Sequence, residues 1–436
     1  MRGWGHVDTA PGNPVKLRDL GSKLGWKKED VGRDAGAAVV LGIESVPDGL
    51  ASGLLAGVNP VAGLYAYMFG VGSAALVTGT AFMAVQGTGA MAIIVNDVDI
   101  DTFEDPSRAL VTLGLLTGVV MVLAGVLRLG GLLRFVSHSV MTGFITAVGV
   151  NIVLGQIGDL TGYASDAGDR VTRTIDTLIH PWRMDLWTVL VGVVTIVLIV
   201  VLSRTRLGAL GLVVAVVVGS AAAALANALD REIQVVGDIA DVPNSLPGPV
   251  SPDLGEIAVL IIPALSLAFV GLVQGAGVSA AFANDGGADT DRDFMGQGVG
   301  NLVAGTFQGM PVGGSMSASS LVTSAGARSR WALVYTFAVM AIVLLLFASA
   351  VELIAMPALA GLLIVVGVQT IKPHEILSVY KTGAVPASIM IVTFVLTLLI
   401  PLQYAVLVGV GMSAILYVVR QANQLDTRRL MVQPDG

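Results

Sequence analysis

The sequence predicts an all-α integral membrane protein with about 14 transmembrane segments, some of them short. Three features lead there. Hydrophobic residues fill 54% of the 436 positions and charged residues only 13%, about half the charged share of a soluble chain. Mean hydropathy is +0.82, more apolar surface than an aqueous fold of this length can bury, so the solvent is lipid. Glycine occurs 54 times. It lets helices approach closely in a bilayer, where the hydrophobic effect no longer drives them together. Cysteine is absent, which excludes disulfides, thiolate catalysis and cysteine-based metal centres.

The chain opens on a polar, basic segment, residues 1–33, with Lys16, Arg18, Lys23, Lys27, Lys28 and Arg33 and no signal-peptide pattern. Stretches free of Asp, Glu, Lys and Arg then mark the spans: 49–96, 109–127, 135–158, 186–203 and 207–229, followed by 257–284, 294–327, 331–351, 353–371 and 382–419. Several exceed the roughly 20 residues that one helix needs. They divide at Asn59-Pro60, at 78–80, at 309–314 and at Pro401. The membrane unit is expected over 34–420, with a short tail at 421–436.

Basic residues test that count. With a cytoplasmic N-terminus and alternating segments, only Arg108, Arg170, Arg173, Arg183 and Arg231 fall outside, and the other 19 of 24 Lys and Arg fall inside. That split obeys the positive-inside rule and places both termini in the cytoplasm, as for a bacterial inner membrane. The outer loops are acidic: Asp97, Asp99, Asp101, Glu104 and Asp105 form one cluster, read as solvated loop charge. Trp182 and Trp187 flank a span as interfacial anchors.

Two segments look broken, one over 82–90 (FMAVQGTGA) and one over 307–317 (FQGMPVGGSMS). Each has a short extended piece, then glycines, then a helical run beginning at Thr or Ser. Unwound backbone at membrane depth is tolerated only where protein buries it or where it lines a cavity. A matched pair of such breaks, one per half of the chain, is the best sequence pointer to a transporter's binding site.

At these residues the chain resembles the SulP (sulfate permease) family of anion transporters, over roughly residues 33–420. One block, 46–66, reads VPDGLASGLLAGVNPVAGLYA; a second reads GQGVGNLVAG at 296–305, followed by PVGGSMS at 311–317 and AGARS at 325–329. The resemblance implies an inverted repeat of seven plus seven segments, about 34–229 and 256–420, folded as core and gate domains. It also implies short extended pieces before half-helices 3 and 10, whose N-termini point at a central anion. Helix N-termini carry unpaired N–H groups and about half a positive charge each, so two of them bind an anion without a basic side chain.

The expected substrate site comprises Gln86, Gly87, Thr88 and Gly89 on one side and Gly313, Gly314, Ser315, Met316 and Ser317 on the other, with Gln274 beside them. Gln274 stands where many family members carry a carboxylate, and Ala318 where many carry an arginine. The family's C-terminal STAS domain is also expected to be missing. Glu44 and Asp48, spaced i and i+4, share a face of the first span and are the proton- or ion-coupling candidates. His138 reads as interfacial. Asn151, Gln156 and Gln308 read as interhelical hydrogen-bonding residues.

The resemblance thus predicts a secondary transporter for sulfate, bicarbonate or a dicarboxylate, with H⁺ or Na⁺ as coupling ion. The compact site without arginine leans toward a monovalent or weakly hydrated anion. A nucleobase carrier of the same fold class and a channel-like passive anion conductor are the alternatives. The chain shows no nucleophile–base pair, metal-ligand cluster or nucleotide loop. No enzyme activity, cofactor, metal or nucleic-acid partner is therefore expected; lipid and a second copy of the chain are the remaining partners.

Overall fold

Segments this apolar must pair their own backbone groups, and helices do this within a single segment. The structure, a computed structural model, describes residues 26–131, 137–402 except 164, 169, 206, 209, 285, 286 and 288, and residues 404, 405, 408 and 411. Most of the basic N-terminal segment, most of the final expected span and the tail lie outside the described residues.

The first half runs α1 (Val31–Leu55), α2 (Pro60–Ala75), β1 (Ala84–Gln86), α3 (Gly89–Val98), α4 (Pro106–Val126), α5 (His138–Gly155), α6 (Ile157–Thr161), α7 (Arg170–Ile179), α8 (Leu186–Leu202) and α9 (Leu210–Asn227). The second runs α10 (Ile257–Ala281), α11 (Thr290–Thr306), β2 (Gly313–Ser315), α12 (Met316–Ser324), α13 (Trp331–Glu352), α14 (Met356–Thr370), α15 (Pro373–Thr382) and α16 (Ala384–Leu399). Local chemistry sets the starts. Asn59 accepts from the Val61 N–H with Pro60 at the first helical position of α2, and Asp105 caps α4 through the Arg108 N–H.

The halves match element by element. α1 and α10 are both 25 residues long with an internal proline, Pro47 and Pro263. β1 and β2 have three residues each, and α3 and α12 have 10 and 9. Packing repeats the match: α11 and α10 lie on α4 as α2 and α1 lie on α13. These helices form one bundle, the core. The gate is a second bundle in which α14 joins α5 and α8, α9 lies on α8, and α16 lies on α5.

Small residues allow the tightest crossing. A Cβ on Gly63 of α2 would sit 2.0 Å from the Gly49 carbonyl oxygen and 2.6 Å from the Gly53 nitrogen of α1, so backbones touch where the 46–66 block is glycine-rich. The expected hydrogen-bonding residues divide. Asn151 donates to the Thr397 carbonyl between α5 and α16, and Gln308 donates to the Gly248 carbonyl. The buried Gln156 Oε1 has no partner among the described residues. His138 starts α5 exposed, 3.2 Å from Glu375.

Candidate functional site

Both breaks are present, and they meet. β1 pairs antiparallel with β2 in the register Ala84–Ser315, Val85–Gly314, Gln86–Gly313. α3 therefore leaves one end of this two-stranded ribbon and α12 the other. The two helix starts thus lie at opposite ends of the ribbon. The first-turn N–H groups of each half-helix lack an intrahelical carbonyl.

The extended backbone is satisfied by side chains of α11 and α12. Asn301 Oδ1 accepts from the Val312 N–H at 2.9 Å, and its Nδ2 donates to the Val312 carbonyl at 2.6 Å. Gln297 Oε1 accepts from the Gly314 N–H at 3.0 Å, while Ser319 Oγ accepts from the Ala84 N–H. This gives the Gly-Gln-Gly-x-x-Asn stretch a physical purpose: Gln297 and Asn301, i and i+4 on one helix face, replace the hydrogen bonds that a continuous helix would have made.

Each expected site residue has a place. Gln86 is buried, and its amide donates to Ser45 Oγ at 2.8 Å, tying β1 to α1. Gly87 presents its carbonyl to Tyr67. Thr88 is the N-cap of α3; its hydroxyl accepts from the Met91 N–H and donates to Gln274 Oε1 at 2.9 Å. That bond occupies the Gln274 carbonyl and leaves its amide as the polar donor beside the half-helix. Gly89 opens α3 against Ile152 of the gate. Gly313 and Gly314 form β2 against α10, where a Cβ on Gly314 would lie 2.6 Å from the Gly275 Cα. Ser315 caps α12 through the Ala318 N–H and bonds Ser317 Oγ at 3.1 Å.

Accessibility is asymmetric. Residues 90–95 of α3 are all buried, whereas Met316, Ser317 and Ser320 of α12 are exposed, Met316 by 46%. α3 is thus buried more deeply than α12. Ala318, in place of an arginine, is buried.

The carboxylates lie to one side. Glu44 and Asp48 are half-buried on α1, and Asp48 reaches the site through Tyr67, whose hydroxyl is 2.8 Å from Asp48 Oδ2. Tyr67, Ser45, Ser52, Gln297 and Asn301 were not among the expected site residues. The two on α11 were signalled by their spacing; Tyr67 carried no local signal, because its partners come from α1 and from beyond β1. Elsewhere, a cavity of about 660 Å³ lies among Asp159, Asp185, Arg231, Glu232 and Asp238; its mostly acidic lining is the wrong sign for an anion.

An inverted repeat whose two interrupted segments pair in one ribbon defines a helical transporter of the core-and-gate class. The sequence matches the Sulfate permease family over residues 32–393, and the chain belongs to that family: it is an anion transporter, not an enzyme. The putative sulfate transporter YbaR of Bacillus subtilis (strain 168) is 26% identical over 398 residues, covering 90% of this chain and 78% of YbaR. The transmembrane domain of a cyanobacterial bicarbonate transporter, BicA, superposes with a TM-score of 0.76 at 22% identity, covering 89% of this chain and 98% of that one. SLC26A9 superposes with a TM-score of 0.80 at 21% identity, covering 96% of this chain and 73% of that one.

Proposed function

We propose that this protein is a secondary transporter working by alternating access, with the anion held between the N-termini of α3 and α12. The observation that carries the reading is the β1–β2 register, which joins two half-helix N-termini from opposite halves of the chain in one buried ribbon. The first-turn N–H groups, the hydroxyls of Thr88, Ser315 and Ser317 and the Gln274 amide replace the anion's water. The greater exposure of α12 and the burial of α3 mark one end-state of the cycle, with core moving against gate to reach the other.

Sulfate, bicarbonate and dicarboxylates are the substrate class; YbaR is named for sulfate and BicA for bicarbonate. The site brings two helix dipoles and no basic side chain, which favours a monovalent anion such as bicarbonate, since a doubly charged ion costs more to dehydrate. Glu44 and Asp48 are the groups placed to carry a coupling proton. The basic-residue split supports a plasma-membrane protein with both termini cytoplasmic.

Uptake of labelled bicarbonate, sulfate and fumarate into liposomes, with and without Na⁺ and pH gradients, tests the reading. Saturable uptake of one anion, abolished by Ser315→Trp in a protein that still elutes as a folded species, is the expected result. Unimpaired uptake by Ser315→Trp removes the site assignment.

A further inference from the structure

Tyr67 makes more hydrogen bonds than one phenol proton can serve. Its hydroxyl lies 2.8 Å from Asp48 Oδ2, 2.9 Å from the Gly87 carbonyl oxygen and 2.9 Å from Ser52 Oγ. The residue is 2% exposed, so its hydroxyl faces protein groups rather than bulk water. A phenol donates once and accepts twice. Ser52 can either donate or accept, but a carbonyl oxygen and an ionised carboxylate only accept. The two pure acceptors therefore compete for one proton whenever Asp48 is charged.

Protonating Asp48 ends the competition. Its O–H then donates to the Tyr67 oxygen, Ser52 donates to the second lone pair, and the Tyr67 proton passes wholly to the Gly87 carbonyl. We propose that Tyr67 is a positioning residue that carries the protonation state of Asp48 to the anion site, by donating to the Gly87 carbonyl only when Asp48 holds a proton. The inference rests on the anion site proposed above and adds the link between that site and the carboxylate.

The consequence lies in one peptide unit. Gly87 O belongs to the Gly87–Thr88 peptide, the unit that leads into Thr88, the N-cap of α3. A hydrogen bond to that oxygen polarises the unit and strengthens the Thr88 N–H as a donor. It also holds the corner at which β1 turns into the half-helix. The contact is close: a Cβ on Gly87 would come 2.9 Å from Tyr67 Cε2. Proton and anion then bind cooperatively, and by linkage each raises the other's affinity by the same factor.

Few other charges face Asp48. Glu44 sits one turn earlier on α1, and Tyr67 comes from α2. Of the other helices packed on α1, α9, α12 and α14 carry no ionisable residue. Those on α3 and α13 are engaged elsewhere: Asp97 with Arg170, Tyr335 with Trp26 and Glu352 with the Val242 N–H. Among the described residues, no basic side chain competes for Asp48 there.

Two variants pull the relay in opposite directions. Tyr67→Phe keeps the ring and removes the donor, so the Gly87 carbonyl is never served. Asp48→Asn supplies a permanent N–H donor to the Tyr67 oxygen, so Tyr67 always donates to Gly87. The measurement is exchange of labelled bicarbonate, sulfate and fumarate, each in turn, against the same unlabelled anion in liposomes, with equal pH on both faces so that no proton gradient drives it. The apparent affinity of the wild type should tighten about five- to tenfold from mildly alkaline to mildly acidic buffer, the worth of one well-placed hydrogen bond. Tyr67→Phe should lose that dependence and stay at the weak, alkaline value. Asp48→Asn should also lose it, but stay at the tight, acidic value.

A wild-type pH profile in Tyr67→Phe overturns the relay, as does loss of the profile in Glu44→Gln alone. Abolished exchange in Ser315→Trp together with a wild-type profile in Tyr67→Phe overturns the relay but leaves the anion site standing. Full exchange in Ser315→Trp removes the site and the relay with it.

Discussion

Arg170 and Asp97 meet at 2.8 Å across the boundary between the two bundles, their side chains 21% and 13% exposed. Asp97 sits at the far end of α3 from the anion site. Arg170 opens α7, which packs on the gate helix α5. The same guanidinium also bonds Asn96 Oδ1, and the Leu402 N–H donates to Asp97 Oδ2 at 2.6 Å. Asp97 is thus not part of the solvated acidic run that the sequence implied. α7 is itself held: Ser165 donates to Asp176 at 2.7 Å and keeps that carboxyl below the usual carboxylate range.

A half-helix that bears the proposed anion site at one end and is fastened to the gate at the other cannot shift until that fastening breaks. Arg170→Ala should therefore favour the opposite, α3-open state. Charge-assisted hydrogen bonds are about twice as strong as neutral ones, so the open fraction should rise by about tenfold. The chain has no cysteine, which makes the readout simple: Ala92→Cys, fully buried in α3, should label with an impermeant maleimide about tenfold faster in the Arg170→Ala background. An unchanged labelling rate would show that the ion pair does not hold the closed face.

Gln274 supports a charge-reversal test. Its carbonyl receives the Thr88 hydroxyl, and its amide is the donor left for an anion. Gln274→Glu puts a carboxylate beside the proposed anion site, with no basic side chain near it among the described residues. Uptake near neutral pH should fall at least about tenfold, since like charges in a partly buried site repel strongly. Acid should restore it as the new carboxyl protonates. Uptake unchanged at every pH would place the anion away from Gln274.

Asn301 should matter to stability as well as transport. Its side chain serves both the N–H and the C=O of Val312. Asn301→Ala leaves two buried backbone groups unpaired, each worth about 1–3 kcal/mol, so a clear drop in melting temperature in detergent is expected along with lost uptake. Asn301→Asp keeps the acceptor for the Val312 N–H and should be milder. Equal stability of Asn301→Ala and wild type would mean that water takes over those bonds.

The sequence carried the fold further than the site, for a physical reason. Uncharged runs, basic-residue placement and Gly/Pro breaks are local properties, and they located the apolar helices and both unwound pieces, but not α7 or α15, which lie in charged stretches between the expected spans. Thr88 and Ser315 were also legible, because a hydroxyl residue following glycines is a local capping signal. The register that sets Gln86 opposite Gly313 was not, since it joins residues far apart in the chain. Nor was the tie between Gln86 and Ser45, or the fate of Asp97, whose partners Arg170 and Leu402 come from the gate. Gln297 and Asn301 stood in plain view at helical spacing, but only the extended backbone beside them explains why two amides are needed there.

The glycines of α1 and α2 allow the packing argument to be tested against its own control. A Cβ at Gly63 would sit 2.0 Å from the Gly49 carbonyl oxygen and 2.6 Å from the Gly53 nitrogen, both backbone atoms that cannot rotate away. At Gly36, also on α1, a Cβ would meet nothing within 4 Å. Alanine has the better helix propensity, by about 1 kcal/mol, so propensity alone predicts that both Gly63→Ala and Gly36→Ala stabilise. Packing predicts opposite signs. Gly36→Ala should hold or slightly raise the melting temperature, whereas Gly63→Ala must push α2 off α1 and should cost about 1–3 kcal/mol or more. Because Tyr67 lies one turn beyond Gly63 on the same helix, that displacement should also break its contacts with Asp48 and Gly87. Gly63→Ala should then lose whatever pH dependence the wild type shows in anion exchange, while Gly36→Ala keeps it. Matching thermal stability in the two variants would refute the close crossing of α1 and α2.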